Sequence, residues 1–219
     1  RAEVLAIGHD DSQSQTFLPH IVQNPSDPNT AYTDCPGFSD TRGAEINIAN
    51  AINIQKVTQQ AAGVKAVFLA EYSDLTSRRG NGITAMRNMC EQMFGNVDSL
   101  RRHQNAVLLG ITKVPIYMDG EPITRNEVRR SLERTNNNIM QILANRVFLF
   151  DPLDRGSDNP DFWPIERCRN EIAQLESIPQ QEAARLFQTV LTDSDSRHLL
   201  TTIRRLRPKI TNAITQGNV

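Results

Sequence analysis

Short apolar runs alternate with stretches of helical period along most of the chain, and this alternation narrows the choice of folds more than any other feature. The runs occupy residues 4–7, 30–33 (a weak one), 64–70, 106–111 and 147–150. Between them Ile48, Ala51, Ile54, Val57 and Ala61 recur at helical spacing, as do Ile83, Met86, Cys90 and Met93. Thr124 and Glu127 have the spacing of a capping box. Val128, Leu132, Ile139 and Leu143 then continue one helical face across Asn136, Asn137 and Asn138. Strands that alternate with helices predict an α/β fold, with a mainly parallel sheet flanked by helices. In open sheets of that kind ligands bind outside the carboxyl ends of the strands.

Residues 151–164 are rich in Asp, Pro and Gly and read as a long loop. Beyond it the pattern is helical only. Leu199, Ile203, Leu206, Ile210 and Ala213 form a stripe expected to be buried, with Pro208 expected to kink or break the helix. The expected division is an α/β domain over residues 1–155 and a helical extension over residues 165–219.

The chain has 219 residues, 24 of them Lys or Arg and 25 Asp or Glu, so there is no overall electrostatic pull toward nucleic acid. No apolar run approaches the roughly 20 residues that a membrane-spanning helix needs. Cys35, Cys90 and Cys168 are widely spaced and form no C-x-x-C pair. Free thiols in a reducing cytoplasm are the expectation. The sequence opens Arg1-Ala2-Glu3, without a methionine or a signal pattern, and reads as a fragment or an excised domain.

One segment carries chemistry more plainly than the rest. Asp34, Cys35, Pro36, Gly37 and Phe38 follow a short strand. A carboxylate at such a strand end suits a magnesium ion held through water. A glycine three residues later lets a backbone N–H approach a phosphate with no side chain in the way. A Pro-Gly turn after a strand yields the same string with no ligand at all. Further on, the strand at 106–111 runs into Thr112, Lys113, Val114 and Pro115, beside which the base-recognition pattern N/T-K-x-D of GTPases is the natural comparison.

In its order of features the chain resembles the septin-like GTPases, including the immunity-associated (AIG1-type) and chloroplast-import-receptor families. The matched order is Ser14, Gln15 and Thr16, then Asp34 to Phe38 with Asp40, the run 64–70, Thr112 with Lys113, and the strand 147–150. The resemblance covers about the first two-thirds of the sequence. It implies a P-loop GTPase-like domain over residues 1–155, truncated before its first strand and P-loop. Thr16, Asp34 and Gly37 would then be the residues around the terminal phosphate, with Thr16 and Asp34 at magnesium. Thr112 and Lys113 would lie along the base, and the loop that begins at Asp151 would be the last base-contacting segment. The implied ligands are GTP or GDP with Mg2+. The implied function is a cytoplasmic switch that hydrolyses GTP slowly and governs assembly or partner binding, through its switch regions or its C-terminal helices. The alternative is a pseudo-GTPase interaction module that works without nucleotide.

Three departures from the family pattern bear on chemistry. No G-x-x-x-x-G-K-[ST] string occurs, which places the phosphate cradle upstream of Arg1. Pro115 stands where a guanine-reading aspartate is expected, so base preference is expected to be loose. Phe38 follows Gly37 where several GTPases carry a water-orienting glutamine, which predicts slow turnover.

The remaining clusters have ordinary explanations. His9, Asp10 and Asp11 read as a polar loop, since no further histidine has ligand spacing. Ser12, Ser14, His20 and Asp27 do not make a hydrolase, because no G-x-S-x-G elbow exists. Trp163 reads as a packing anchor. Arg197, His198, Arg204, Arg205, Arg207 and Lys209 read as the wet face of an amphipathic helix, with phosphate or acidic lipid as the other use of such a group.

Overall fold

The computed structural model describes residues 20–25, 27–35, 44–76, 81–135, 137–151, 153, 155, 159–187 and 193–215. In chain order the strands are β1 His20–Gln23, β2 Ala31–Asp34, β3 Gly63–Val64, β4 Ala66–Glu71, β5 Val107–Thr112, β6 Tyr117–Met118, β7 Glu121–Pro122, β8 Val147–Phe150, β9 Phe162–Trp163 and β10 Ile178–Pro179. The helices are α1 Ala44–Gln60, α2 Tyr72–Thr76, α3 Asn81–Phe94, α4 Val97–Arg102, α5 Arg125–Glu133, α6 Asn138–Ala144, α7 Ile165–Gln174, α8 Gln180–Leu186 and α9 Asp193–Thr215. Contacts divide the chain into two compact units, Thr58–Leu186 on the one hand and Arg1–Val57 with Phe187–Val219 on the other.

In the unit Thr58–Leu186 a four-stranded sheet runs in the order β4-β5-β8-β9. All of its pairings are parallel, as the alternation of strands and helices predicts. Residues paired across parallel strands point to the same side, so the register sorts the side chains into two faces. One face gathers Phe68, Val107, Leu109, Ile111, Val147 and Leu149, all buried. Helices α3, α5 and α6 pack against β4, β8 and β5, and the Phe94 ring of α3 meets Phe68 edge-on at 6.5 Å. The other face gathers Leu108, Phe148, Trp163 and Cys168, with Val67, Phe150, Ile172 and Leu175 packed around them. Trp163 stacks on Phe148 at 4.6 Å while the Arg167 guanidinium lies 4.9 Å from the Trp163 ring centre, so the tryptophan is the packing anchor expected of it. Gly110 sits between these layers because a Cβ there would come within 2.7 Å of the Phe148 ring and 2.8 Å of Leu69.

Local chemistry sets the helix ends. Thr124 and Glu127 make the expected capping box, with Glu127 N–H donating to Thr124 Oγ1 at 3.3 Å and Thr124 N–H to Glu127 Oε2 at 2.8 Å. The single helical face expected to run from Val128 to Leu143 is divided into α5 and α6. The Asn137 side chain accepts from the N–H groups of Ile139 and Met140 and starts a new helix, as an asparagine does at an N-cap. Lys65 donates to the carbonyls of Ile172 and Ala173 at 3.1 and 2.8 Å, where the C-terminal end of α7 attracts a cation. The run at 64–70 is interrupted at Lys65 into β3 and β4, and β3 pairs antiparallel with β10 inside the stretch expected to be helical only. The loop expected over 151–164 likewise contains β9.

In the other unit β1 and β2 form an antiparallel hairpin. Asp27 organises its loop, accepting from Thr30 Oγ1 at 2.6 Å and from Asn29 N–H at 3.0 Å, which is a turn-forming use of the residue. Helix α9 continues through Pro208 and is not broken there. Most of its stripe is not buried: Ile203, Leu206 and Ile210 are between 40% and 56% exposed while Leu199 and Ala213 are half-buried, and Leu200 and Ile214 on the same face are 54% and 62% exposed. The run at 4–7 lies outside the described residues. Among the described residues no helix is long and apolar enough to cross a membrane. The cysteines are unbridged, with Cys90 and Cys168 buried. Burial pushes the Cys90 thiol up to about 12, which keeps it protonated and inert.

Candidate functional site

Strands β4, β5 and β8 are parallel neighbours, so their carboxyl ends bring Glu71, Thr112, Lys113 and Asp151 to one edge of the sheet. Glu71 is paired in register with Thr112. The Thr112 hydroxyl donates back to the Ala70 carbonyl at 3.3 Å, which ties the two strand ends together.

Lys113 leaves β5 with φ 53°, a left-handed conformation that costs a side-chain-bearing residue roughly 1–2 kcal/mol. The other non-glycine positive φ among the described residues is at Asp119, which with Gly120 forms the two-residue turn of the β6–β7 hairpin. There the conformation is what such a turn requires. At Lys113 no hairpin requires it. The chain turns there because Val114, the next residue, is buried while Pro115 stands in solvent. Strain of this sort concentrates at functional positions.

The Lys113 side chain is 68% exposed, and its ammonium lies 2.6 Å from Glu71 Oε1. An exposed pair of this kind adds about 0–1 kcal/mol to stability, so its effect is mainly positional. Glu71 is itself set in place, since Ser73 Oγ donates to Glu71 Oε2 at 3.4 Å and Glu71 N–H donates to Asp74 Oδ2 at 3.3 Å. Tyr72 begins α2 directly afterwards, and its hydroxyl lies 3.9 Å from the Met118 sulfur of the hairpin. Burial, with the Glu127 carboxylate second, raises the Tyr72 phenol above its ordinary value, so it stays a neutral donor. The edge therefore offers a lysine stem, a phenol and a carboxylate close to solvent.

Asp151 belongs to the same edge but differs in character. It is 1% exposed, Arg155 Nε reaches its carboxylate at 3.0 Å, and its N–H donates to the Trp163 carbonyl at 3.0 Å. A buried carboxylate so engaged orders the loop that follows β8. Asp34 is the last residue of β2, in the other unit, and is exposed. Thr16 and Gly37 lie outside the described residues, as do Phe38, Asp40 and the group His9, Asp10 and Asp11. Of the two residues expected at magnesium, Asp34 alone is described.

Residues Glu71 and Tyr72 are the part of this edge that sequence pattern did not single out. The apolar run ends at Ala70, so the strand reads one residue short, and a polar residue after it looks like ordinary loop. The available signal was position: both stand where a parallel strand hands over to a helix. Neither family models nor curated proteins nor solved structures yield a match to this chain.

Proposed function

We propose that the chain is a nucleotide-binding switch domain of the P-loop GTPase-like class, with slow hydrolysis, whose base-binding end is the edge formed by Thr112, Lys113, Glu71 and Tyr72. The observation that carries this is Lys113: an exposed ammonium on a left-handed residue at the carboxyl end of a central parallel strand, aimed by Glu71. A purine laid against the lysine stem would meet the Glu71 carboxylate as an acceptor for its N–H groups. That gives the base a partner that Pro115 does not supply. Selection for guanine is then looser than in a T-K-x-D protein.

The phosphate grip in this proposal comes from residues outside the sequence, since no G-x-x-x-x-G-K-[ST] string is present. Strand β4 lends support. Among the described residues it pairs only with β5, so its other edge is open to a further strand. A further parallel strand beside β4 would carry its own loop to the same edge. GTP and GDP with Mg2+ remain the proposed ligands.

The test is an amide chemical-shift titration of this chain with GTP, ATP and ITP. Without a phosphate cradle, binding is expected on the order of millimolar. Shifts should centre on Glu71, Tyr72 and Thr112 to Val114, and Lys113→Ala should remove them. Unmoved amides at those positions would dispose of the proposal. Pro115 and the exposed Tyr117 and Met118 of the β6–β7 hairpin favour a second reading, in which the same edge binds a protein and no nucleotide. Silence toward all three nucleotides is the result that would favour it.

A further inference from the structure

Helix α9 combines an uncovered apolar face with a charge bias that its sequence concentrates in one place. Between Ser196 and Thr215 it holds Arg197, Arg204, Arg205, Arg207 and Lys209, and no Asp or Glu. The rest of the chain is net acidic, with 19 Lys or Arg against 25 Asp or Glu, and four helical arginines elsewhere pair with acids one turn away: Arg87 with Glu91, Arg101 with Asp98, Arg129 with Glu133, Arg169 with Glu166. Among the described residues no ion pair joins Arg204, Arg205, Arg207 or Lys209.

Geometry places these charges around the apolar face. At about 100° per residue, Leu200, Ile203, Leu206, Ile210 and Ile214 fall within roughly a third of the helix circumference. Arg197 and Arg204 border that arc on one side and Lys209 on the other. Arg207 falls inside it, with a stem long enough to carry the guanidinium out of an apolar layer. The face opposite presents Thr201, Asn212 and Arg205. All five aliphatic residues are exposed.

We propose that α9 is a surface-seeking helix that lies on anionic lipid, with its aliphatic face in the acyl boundary and Arg197, Arg204, Arg207 and Lys209 among the headgroups. Charge is what selects this occupant. A second copy of α9, in either direction, would set the basic stretch 204–209 against its own like, which is repulsive. An uncharged partner leaves the flanking cations without purpose. An anionic layer satisfies both the stripe and its borders, and a long amphipathic helix rich in Arg and Lys is what such a surface binds. The inference is independent of whether the strand-end edge takes a nucleotide.

The experiment is co-sedimentation of the full chain with phosphatidylcholine vesicles, plain or containing about one third phosphatidylserine. Binding should require the anionic lipid and weaken in high salt, where charge is screened. Replacing two cations, Arg204→Gln with Lys209→Gln, should weaken it by roughly twenty-five-fold, because each basic residue near such a surface contributes about fivefold. Ile203→Asp should abolish it while the circular dichroism spectrum is retained. Equal binding to both vesicle types, or no binding to either, would overturn the proposal. So would wild-type affinity in the folded Arg204→Gln, Lys209→Gln variant. A dimer in sedimentation equilibrium that Ile203→Asp splits would assign the face to a second copy instead.

Discussion

Strand β5 and helix α9 each line up a set of large aliphatic residues, and these end in opposite surroundings. Val107, Leu108, Leu109 and Ile111 of β5 are at most 5% exposed, whereas the five aliphatics of the α9 face start at 40%. The strand is central: β4 and β8 take its hydrogen bonds, α6 covers one face, and Phe148 covers part of the other. The helix satisfies most of its backbone hydrogen bonds within itself. A strand's apolar run thus forces partners upon the fold, while a helix's stripe only makes them favourable. Helix α1 shows a related imbalance, for Asn50 is buried with neither amide atom hydrogen-bonded among the described residues. Within Thr58–Leu186, by contrast, α4, α5 and α6 each have a side-chain N-cap bond.

The largest effect should come from the interior of the strand. Leu109 is fully buried on the helix-covered face, so Leu109→Ala removes packing that the surrounding side chains only partly recover. A loss of about 2–5 kcal/mol is expected, read from urea unfolding. A loss under about 1 kcal/mol would mean that the sheet centre is far looser than its burial implies.

The same contrast decides how much was legible beforehand. The strands at 106–111 and 147–150 were visible to within a residue because strands covered on both faces are continuous apolar runs. The capping box was visible because its two residues speak to each other across three positions. What escaped were features fixed at long range. β9 and β10 are two-residue strands that exist only because β8 and β3 lie beside them. The break at Asn137 was hidden by a stripe that keeps its phase across it. The stripe of α9 announced amphipathic character correctly and its burial wrongly, because periodicity names a face and never its partner. At the candidate edge, Thr112 and Lys113 were readable from chain order, but Glu71 became visible only when β4 was laid against β5.

A smaller effect is expected at the end of the strand. Lys113 bears left-handed strain, and Lys113→Gly removes it while also removing an exposed ion pair worth about 0–1 kcal/mol. The net expectation is a gain of about 0.5–1 kcal/mol, or roughly 2–4 °C in melting temperature, together with loss of the nucleotide-induced shifts. A residue kept for packing would show the reverse, destabilisation on replacement. Calorimetry on the variant separates the two.

The smallest stability effect should come from the most apolar part of α9. Ile203 is 51% exposed, so placing a carboxylate there takes little apolar area out of contact and buries no charge. It also sits four residues before Arg207, where a negative charge is favourable along a helix, by a few tenths of a kcal/mol. Aspartate is a poorer helix former than isoleucine, by a similar amount. These contributions nearly cancel, and Ile203→Asp should change unfolding free energy by no more than about 0.5 kcal/mol. Differential scanning calorimetry would then place its melting temperature within roughly 2 °C of the parent. A drop several times larger would show that Ile203 is covered in solution by another part of this chain. The face would then be part of the fold's own core, no lipid surface would be needed to explain it, and the contrast with β5 would vanish.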